Sequence, residues 1–257
     1  MPKRAAQRSI ALRPEHSERP GPGRLTREKI SAAALAIADE EGFEALSMRR
    51  IAARLGAAPM SLYYYVHTKA DLVALMDDAL MGEALVPQGE LPREWREAIS
   101  AIARRTRDMF ARHPWALLAM QGAPPGPNAM RHFEQSLKAL ERAPMGLEDQ
   151  LALLQLVDDF VFGHSLRSVE AKLWSRGDSS LVRSAEALAQ QLFETGAFPR
   201  TAALFSRENS RDAAQHRQWL MQDRFERSLA AVLDGAVQRR PRAPRRERPP
   251  RSQTPTP

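Results

Sequence analysis

The chain of 257 residues contains no cysteine. That excludes disulfides and thiolate metal sites, and nothing in the composition points to an oxidising compartment. No run of 18 or more apolar residues occurs, and the basic, proline-bearing N-terminus lacks the apolar segment of a secretory leader. A cytoplasmic protein with no membrane partner is therefore expected. Strand alternation, a Gly-rich phosphate loop, a G-x-S-x-G elbow and an H-E-x-x-H pair are also missing. The six histidines, at 16, 67, 113, 132, 164 and 216, are scattered along the chain. Asp158 and Asp159 are adjacent and so project from different faces of a helix, which does not suit two carboxylates sharing one reaction centre. No enzyme, no metal and no cofactor is expected.

The formal charge of +7 is concentrated at the ends. Residues 239–257 hold seven Arg and one Glu, and residues 1–23 hold five Lys or Arg and two Glu, so the tails carry +9 and everything between them −2. Both tails are rich in Pro and lack apolar periodicity, so each is expected to be disordered. A DNA-contacting role and a merely solvated role stay open for both. A folded body that binds nucleic acid must do so through a local patch rather than through its net charge.

Such a patch is legible between Ser47 and Asp71. Ser47 is an N-cap with Leu46 and Ile51 placed as a hydrophobic staple, and Met48, Ile51, Ala52 and Leu55 recur at helical spacing. Gly56 stands where a left-handed C-cap belongs. Pro59 then suits the first position of a second helix, in which Leu62 and Val66 face inward. Three successive tyrosines, Tyr63 to Tyr65, cannot all be buried on so short an element. Thr68 and Asp71 form a capping box that opens a third helix, with Lys69 in its first turn beside N–H groups that favour an anion. Upstream, Thr26 caps a helix carrying Ile30, Ala34, Ile37 and Ala38 inward and ending at Gly42. Its exposed acidic end, Asp39 to Glu41, should point away from phosphate.

Downstream the chain reads as helices throughout. The third helix continues to about Ala84, with a linker from Val86 to Pro92. Further helices are expected over Arg93 to about Arg112, ended by His113-Pro114, and over Asn128 to about Arg142 with Met130, Phe133, Leu137 and Leu140 inward. A long apolar helix should run from Leu147 to about Trp174. The stretch from Gly177 to Arg200 yields one helix, Leu181 to Phe193, and a last one spans about Ala213 to Gln238, with Trp219 and Leu220 in its stripe.

Arg24 to Leu80 resembles the DNA-binding domain of the TetR family of one-component repressors. The resemblance is carried by Thr26, Ala33 to Ala38, Gly42, Phe43, Leu46, Ile51, Ala52, Leu55, Gly56, Leu62, Tyr63, Val66, Lys69 and Leu72. R-x-H-P-W and G-P-N-A-M are similar to strings in the C-terminal domain of the tetracycline-repressor-like branch. The resemblance implies an all-α fold: an N-terminal three-helix helix-turn-helix DNA-binding domain (24–85) joined by a linker helix to a C-terminal helical bundle (93–238) for ligand binding and dimerisation, flanked by the arm 1–23 and the tail 239–257. It implies a homodimer on double-stranded, palindromic DNA, released by a small, largely apolar effector. Pro59, Met60, Ser61 and Tyr64 would then meet base edges, Tyr63, Lys69, Thr26, Arg49 and Arg50 the backbone, and Arg24 a groove or the backbone. An effector pocket would draw on Met109, Trp115, Met120, Phe133, Phe162 and His164, and a subunit interface on Leu154, Val161, Phe225, Leu229 and Val232. The competing reading is a nonspecific or architectural nucleic-acid binder acting through its tails.

Overall fold

The computed structural model describes residues 25–120, 122–176, 179–208 and 224–237. Arg24, the arm 1–23, the tail 239–257 and Trp219 and Leu220 of the predicted last helix lie outside the described residues. The described residues form helices and turns and no strand.

The first four helices are set by their ends. Thr26 accepts from the Lys29 amide at 3.2 Å to open α1 (Arg27–Glu41), and Gly42, at φ 89°, closes it. After a 3₁₀ turn (Phe43–Ala45), Ser47 accepts from the Arg50 amide to cap α2 (Met48–Arg54). Gly56, at φ 62°, supplies the left-handed turn that an L side chain would resist. α3 (Pro59–Tyr63) starts on Ala58 with no side-chain cap, and it is shorter than the 59–66 pattern predicts. A turn through Tyr64 and Tyr65 brings Val66 back to the core. Leu62 and Val66 are fully buried, which holds a five-residue helix that could not persist on its own propensity. α4 (Lys69–Ala84) opens on the Thr68–Asp71 capping box, each side chain bonding the other's amide at 3.0 Å.

α4 packs into the first core, and the chain enters the second just after it, at Val86. Leu72, Leu75 and Met76 of α4 join Ile30, Ile37, Ile51 and Leu62 in the first. Met109 of α5 (Trp95–Arg112) and Ala116 of α6 (Ala116–Ala119) complete that same cluster. The second core lies among α5, α7 (Pro127–Leu140), α8 (Leu147–Arg176) and α11 (Arg224–Val237), around Ile99, Ile102, Leu140, Leu153, Val157 and Leu229. α9 (Ser179–Glu194) covers the predicted Leu181–Phe193 helix, and Pro199 opens a further helix, α10 (Pro199–Glu208), absent from the sequence reading.

A polar joint binds α4 to α7. Asp78 accepts from the Asn128 amide at 2.7 Å, and the Asn128 side chain donates to the Asp78 carbonyl at 2.9 Å. A Cβ on Gly126 would overlap the Asp78 carboxyl, so a glycine is needed for the approach. Gln135 closes the other end, accepting from and donating to the Val86 backbone at 3.0 and 2.8 Å. Of the four α7 side chains expected inward, Leu140 is buried and Leu137 half-buried against the core, whereas Met130 and Phe133, nearer the joint, are exposed.

α8 carries apolar side chains on two sides. Leu147, Leu151 and Leu156 face outward, and Leu153, Leu154, Val157 and Val161 face the core. This corrects four of the five residues expected at the subunit interface, because Leu154, Val161, Phe225 and Leu229 are buried within the chain, whereas Val232 is half-buried and lines a groove on the outward side. Their stripe packs on α5, which the hydropathy period could not distinguish from a partner. Leu229→Ala should accordingly lower stability by about 2–5 kcal/mol through the cavity it leaves, measured by denaturant unfolding; a cost under about 1 kcal/mol would contradict its place in the core.

Candidate nucleic-acid interface and effector cavity

α3 presents an unusual surface. Met60 is 77% exposed, Tyr64 60% and Tyr63 42%, with Pro59 and Ser61 also exposed beside them. The two inward side chains of this segment, Leu62 and Val66, fix which face points out. A large apolar side chain held so far into solvent suits contact with thymine methyls, and the Ser61 and Tyr64 hydroxyls add donors and acceptors for base edges. Tyr64 meets Tyr65 edge-on at 5.5 Å, which limits its swing.

Two of the arginines near α3 are already paired with acids. Arg50 pairs with Glu41, and Arg54 makes two bonds to Glu40. The acidic end of α1 therefore does not simply point away from the reading surface, as expected from sequence; it neutralises two arginines of α2. The bonds from Arg54 hold the Glu40 carboxyl below its usual range. Arg49 is exposed, and Lys69 is exposed with its Nζ 5.4 Å from the Phe43 ring centroid. Thr26 is half-buried and its hydroxyl caps α1.

Asp39, in the same acidic run, faces the opposite way. One carboxyl oxygen lies 2.8 Å from Nδ1 of the buried His113 and accepts from the Trp115 indole N–H at 2.7 Å. The other ring nitrogen of His113 is 3.2 Å from Glu83, which also receives Arg112 at 2.8 Å. Burial alone would raise the Glu83 carboxyl; the bonds from Arg112 and His113 outweigh it and hold it below the ordinary carboxylate range. Trp115 stacks on Phe43 at 5.7 Å and 17°. The α5–α6 corner is thus fastened to α1, to the 3₁₀ turn and to α4.

Just past that corner lies a cavity of about 330 Å³ between α4, α5, α6 and α8. Its walls include Leu80, Met81, Met109, Leu117, Met120 and Phe162, with Phe110 meeting Phe162 edge-on at 6.1 Å. Asp77 brings a carboxylate to this lining. Of the side chains expected here, Met109, Met120 and Phe162 line the cavity. Trp115 instead fastens the corner, Phe133 is exposed on α7, and His164 lines a separate cavity of about 350 Å³ with Arg167 and Arg224. Burial, then Arg107 and Arg224, lower the His164 imidazole from its ordinary range. Among the described residues no group of His, Cys, Asp and Glu is placed to hold a metal ion, and no helix is long and apolar enough to cross a membrane.

Residues 30–76 match the model of the bacterial regulatory proteins of the tetR family, and residues 88–239 match that of the tetracyclin repressor-like C-terminal domain. The chain belongs to the TetR family. A relative described as the HTH-type transcriptional repressor DrrR1, from Streptomyces coeruleorubidus, is 33% identical over 238 residues, covering 89% of this chain and 84% of that one. An HTH-type transcriptional regulator from Saccharopolyspora erythraea is 38% identical over 186 residues, 72% of this chain and 75% of that one. The solved structure of the Streptomyces coelicolor TetR family protein ActR in complex with actinorhodin has a TM-score of 0.62 at 30% identity, covering 83% of this chain and 95% of that one.

A TetR-family chain is a DNA-binding transcriptional regulator and not an enzyme, and here α2, the Gly56 turn and α3 form its helix-turn-helix. Sequence reasoning missed Asp39, Asp78 and Glu83, whose side-chain partners lie 29 to 76 positions away, and Asp77, which no side chain among the described residues pairs with. The signal that could have found Asp77 was an acid one turn from Leu80 on a helix already assigned to the core. Arg50 is paired with Glu41; if Arg50 is one of the phosphate contacts, Glu41→Gln should tighten DNA binding by up to about fivefold in a low-salt titration, and unchanged or weaker binding would remove Arg50 from the interface.

Proposed function

We propose that this regulator is a homodimeric repressor that leaves a palindromic operator when a small, largely apolar ligand fills the cavity between α4, α5, α6 and α8. The observation that carries this reading is a shared wall. Met109 and Ala116 line the cavity and are also buried in the core that holds the reading helix. A ligand pressing on them, on Leu80 or on Met81 acts on α4, which opens at Lys69 beside the DNA-facing surface. A ligand that prefers the conformation with misplaced reading heads by about 1–3 kcal/mol would weaken DNA binding roughly 5- to 150-fold. The solved complexes of ActR with actinorhodin and with (S)-DNPA support a ligand-responsive role for a chain of this build.

The dimer reading rests on the outward side of α8 and α11. There Ala152, Gln155, Leu156, Ala231, Val232 and Gly235 line a groove of about 450 Å³, and Leu151 and Leu156 stand exposed near it. Small residues let a partner's helices approach closely, and two exposed leucines give them something to bury. Two reading helices in successive major grooves then need a separation of about 34 Å. Pro59, Met60, Ser61 and Tyr64 are assigned to base edges, with Tyr63, Lys69, Arg49, Arg50 and Thr26 at the backbone. The effector reading includes Met109, Met120 and Phe162 and leaves out Phe133 and His164.

Lys69→Ala should weaken binding to every DNA sequence alike and make the salt slope shallower by roughly one. A changed base preference would contradict its assignment to phosphate. Leu156→Glu should yield monomers in sizing experiments while the helical content stays intact, since its side chain is 47% exposed; a persistent dimer would move the interface elsewhere.

A further inference from the structure

Asp77 and Asp78 are neighbours on α4 with opposite fates. Asp78 is consumed by the joint to α7, where the Asn128 amide and side chain bond it at 2.7 and 3.2 Å. Asp77 is half-buried at the lining of the 330 Å³ cavity, and among the described residues no side chain pairs with it. The other described residues that line this cavity are apolar. From α5 come Met109 and Phe110, from α6 and its end Leu117 and Met120, and from α8 Phe162. None of these titrates, and the charge that acts on Asp77 is Asp78 on its own helix. A carboxylate in such a place is costly unless a cation joins it. Three methionines and an edge-on phenylalanine pair form adaptable walls for a flat ring system, and aromatic faces also attract cations.

We propose that the cavity selects an amphipathic organic cation, a protonated amine on a flat aromatic body, with Asp77 as its counter-ion. This rests on the reading of the cavity as the effector site and adds the charge of the ligand to it. Burial, then the Asp78 charge, push the Asp77 carboxyl up to about 6. Above that pH the carboxylate is ionised and attracts the amine; below it the group is neutral and the attraction is lost. Bound amine would in turn stabilise the carboxylate and lower its pKa.

The test is a fluorescence titration of the full chain with three probes of one shape: 1-pyrenemethylamine, 1-pyrenemethanol and 1-pyrenecarboxylate. At pH 8 the amine should bind at least about tenfold more tightly than the alcohol, with the carboxylate weakest. At pH 5 the amine's advantage over the alcohol should shrink to within about twofold while the amine itself stays charged. Asp77→Asn should remove the advantage at pH 8 and leave the alcohol's affinity within about twofold. Leu117→Trp, which fills the cavity, should abolish binding of all three. Equal binding of alcohol and amine at pH 8, lost in Leu117→Trp, would overturn the ligand's charge and leave the cavity reading standing. An amine preference that survives in Asp77→Asn, or that does not fall with pH, would overturn the role of Asp77. Failure of every probe to bind would overturn both the inference and the effector reading beneath it.

Discussion

The two hydrogen bonds that Asp39 accepts, from His113 and from the Trp115 indole, are the constraint on which the rest of the arrangement depends. They tie the end of the first helix to the corner between α5 and α6. Without that tie, the short α6 has four helical residues and no side-chain cap to hold it. With it, Ala116 and Met109 are drawn into the core of the reading domain, and one set of side chains serves both that core and the cavity wall. Packed interiors transmit strain because they have little free volume to absorb it. If an effector fills that cavity, as proposed above, the shared wall would be a physical route from it to the reading helix, with no separate lever.

Electrostatics at the DNA-facing end follow from the same acidic run. Of the three acids that close α1, one turns inward to the corner and two turn toward α2, where they meet Arg50 and Arg54. The described body is therefore not a broad cationic surface, in keeping with the net negative charge between the tails. On the reading proposed above, its hold on DNA would depend on a few placed groups, and its selectivity on the exposed α3 face of Met60, Ser61, Tyr63 and Tyr64.

The N-terminal helices were legible because their boundaries are chemical. Thr26, Ser47 and Thr68 bond the amides three residues on, and Gly42 and Gly56 occupy positive φ, so local rules sufficed. The length of α3 was overestimated because its closing turn is dictated by Val66 finding the core, a tertiary effect. Farther on, periodicity gave the helices and only part of their faces. Leu137 and Leu140 of α7 turn inward as expected, while Met130 and Phe133, in the half of the helix next to the Asp78–Asn128 joint, face solvent. Along α8 two apolar faces coexist, one on α5 and one outward, and a hydropathy stripe cannot say which is which. Half of the side chains expected in the pocket line the cavity. The others share its sequence neighbourhood without sharing its space, and the acids that organise the site act over separations that no local pattern encodes.

Phe43 touches both Lys69 and Trp115, one at 5.4 Å from its ring centroid and the other at 5.7 Å between centroids. If the ammonium group of Lys69 leaves that ring for a phosphate, the ring loses a cation while its indole neighbour still borders the α6 corner. Occupancy of the duplex would then be felt at the mouth of the small-molecule chamber through a single phenyl group. By linkage the influence runs equally in reverse.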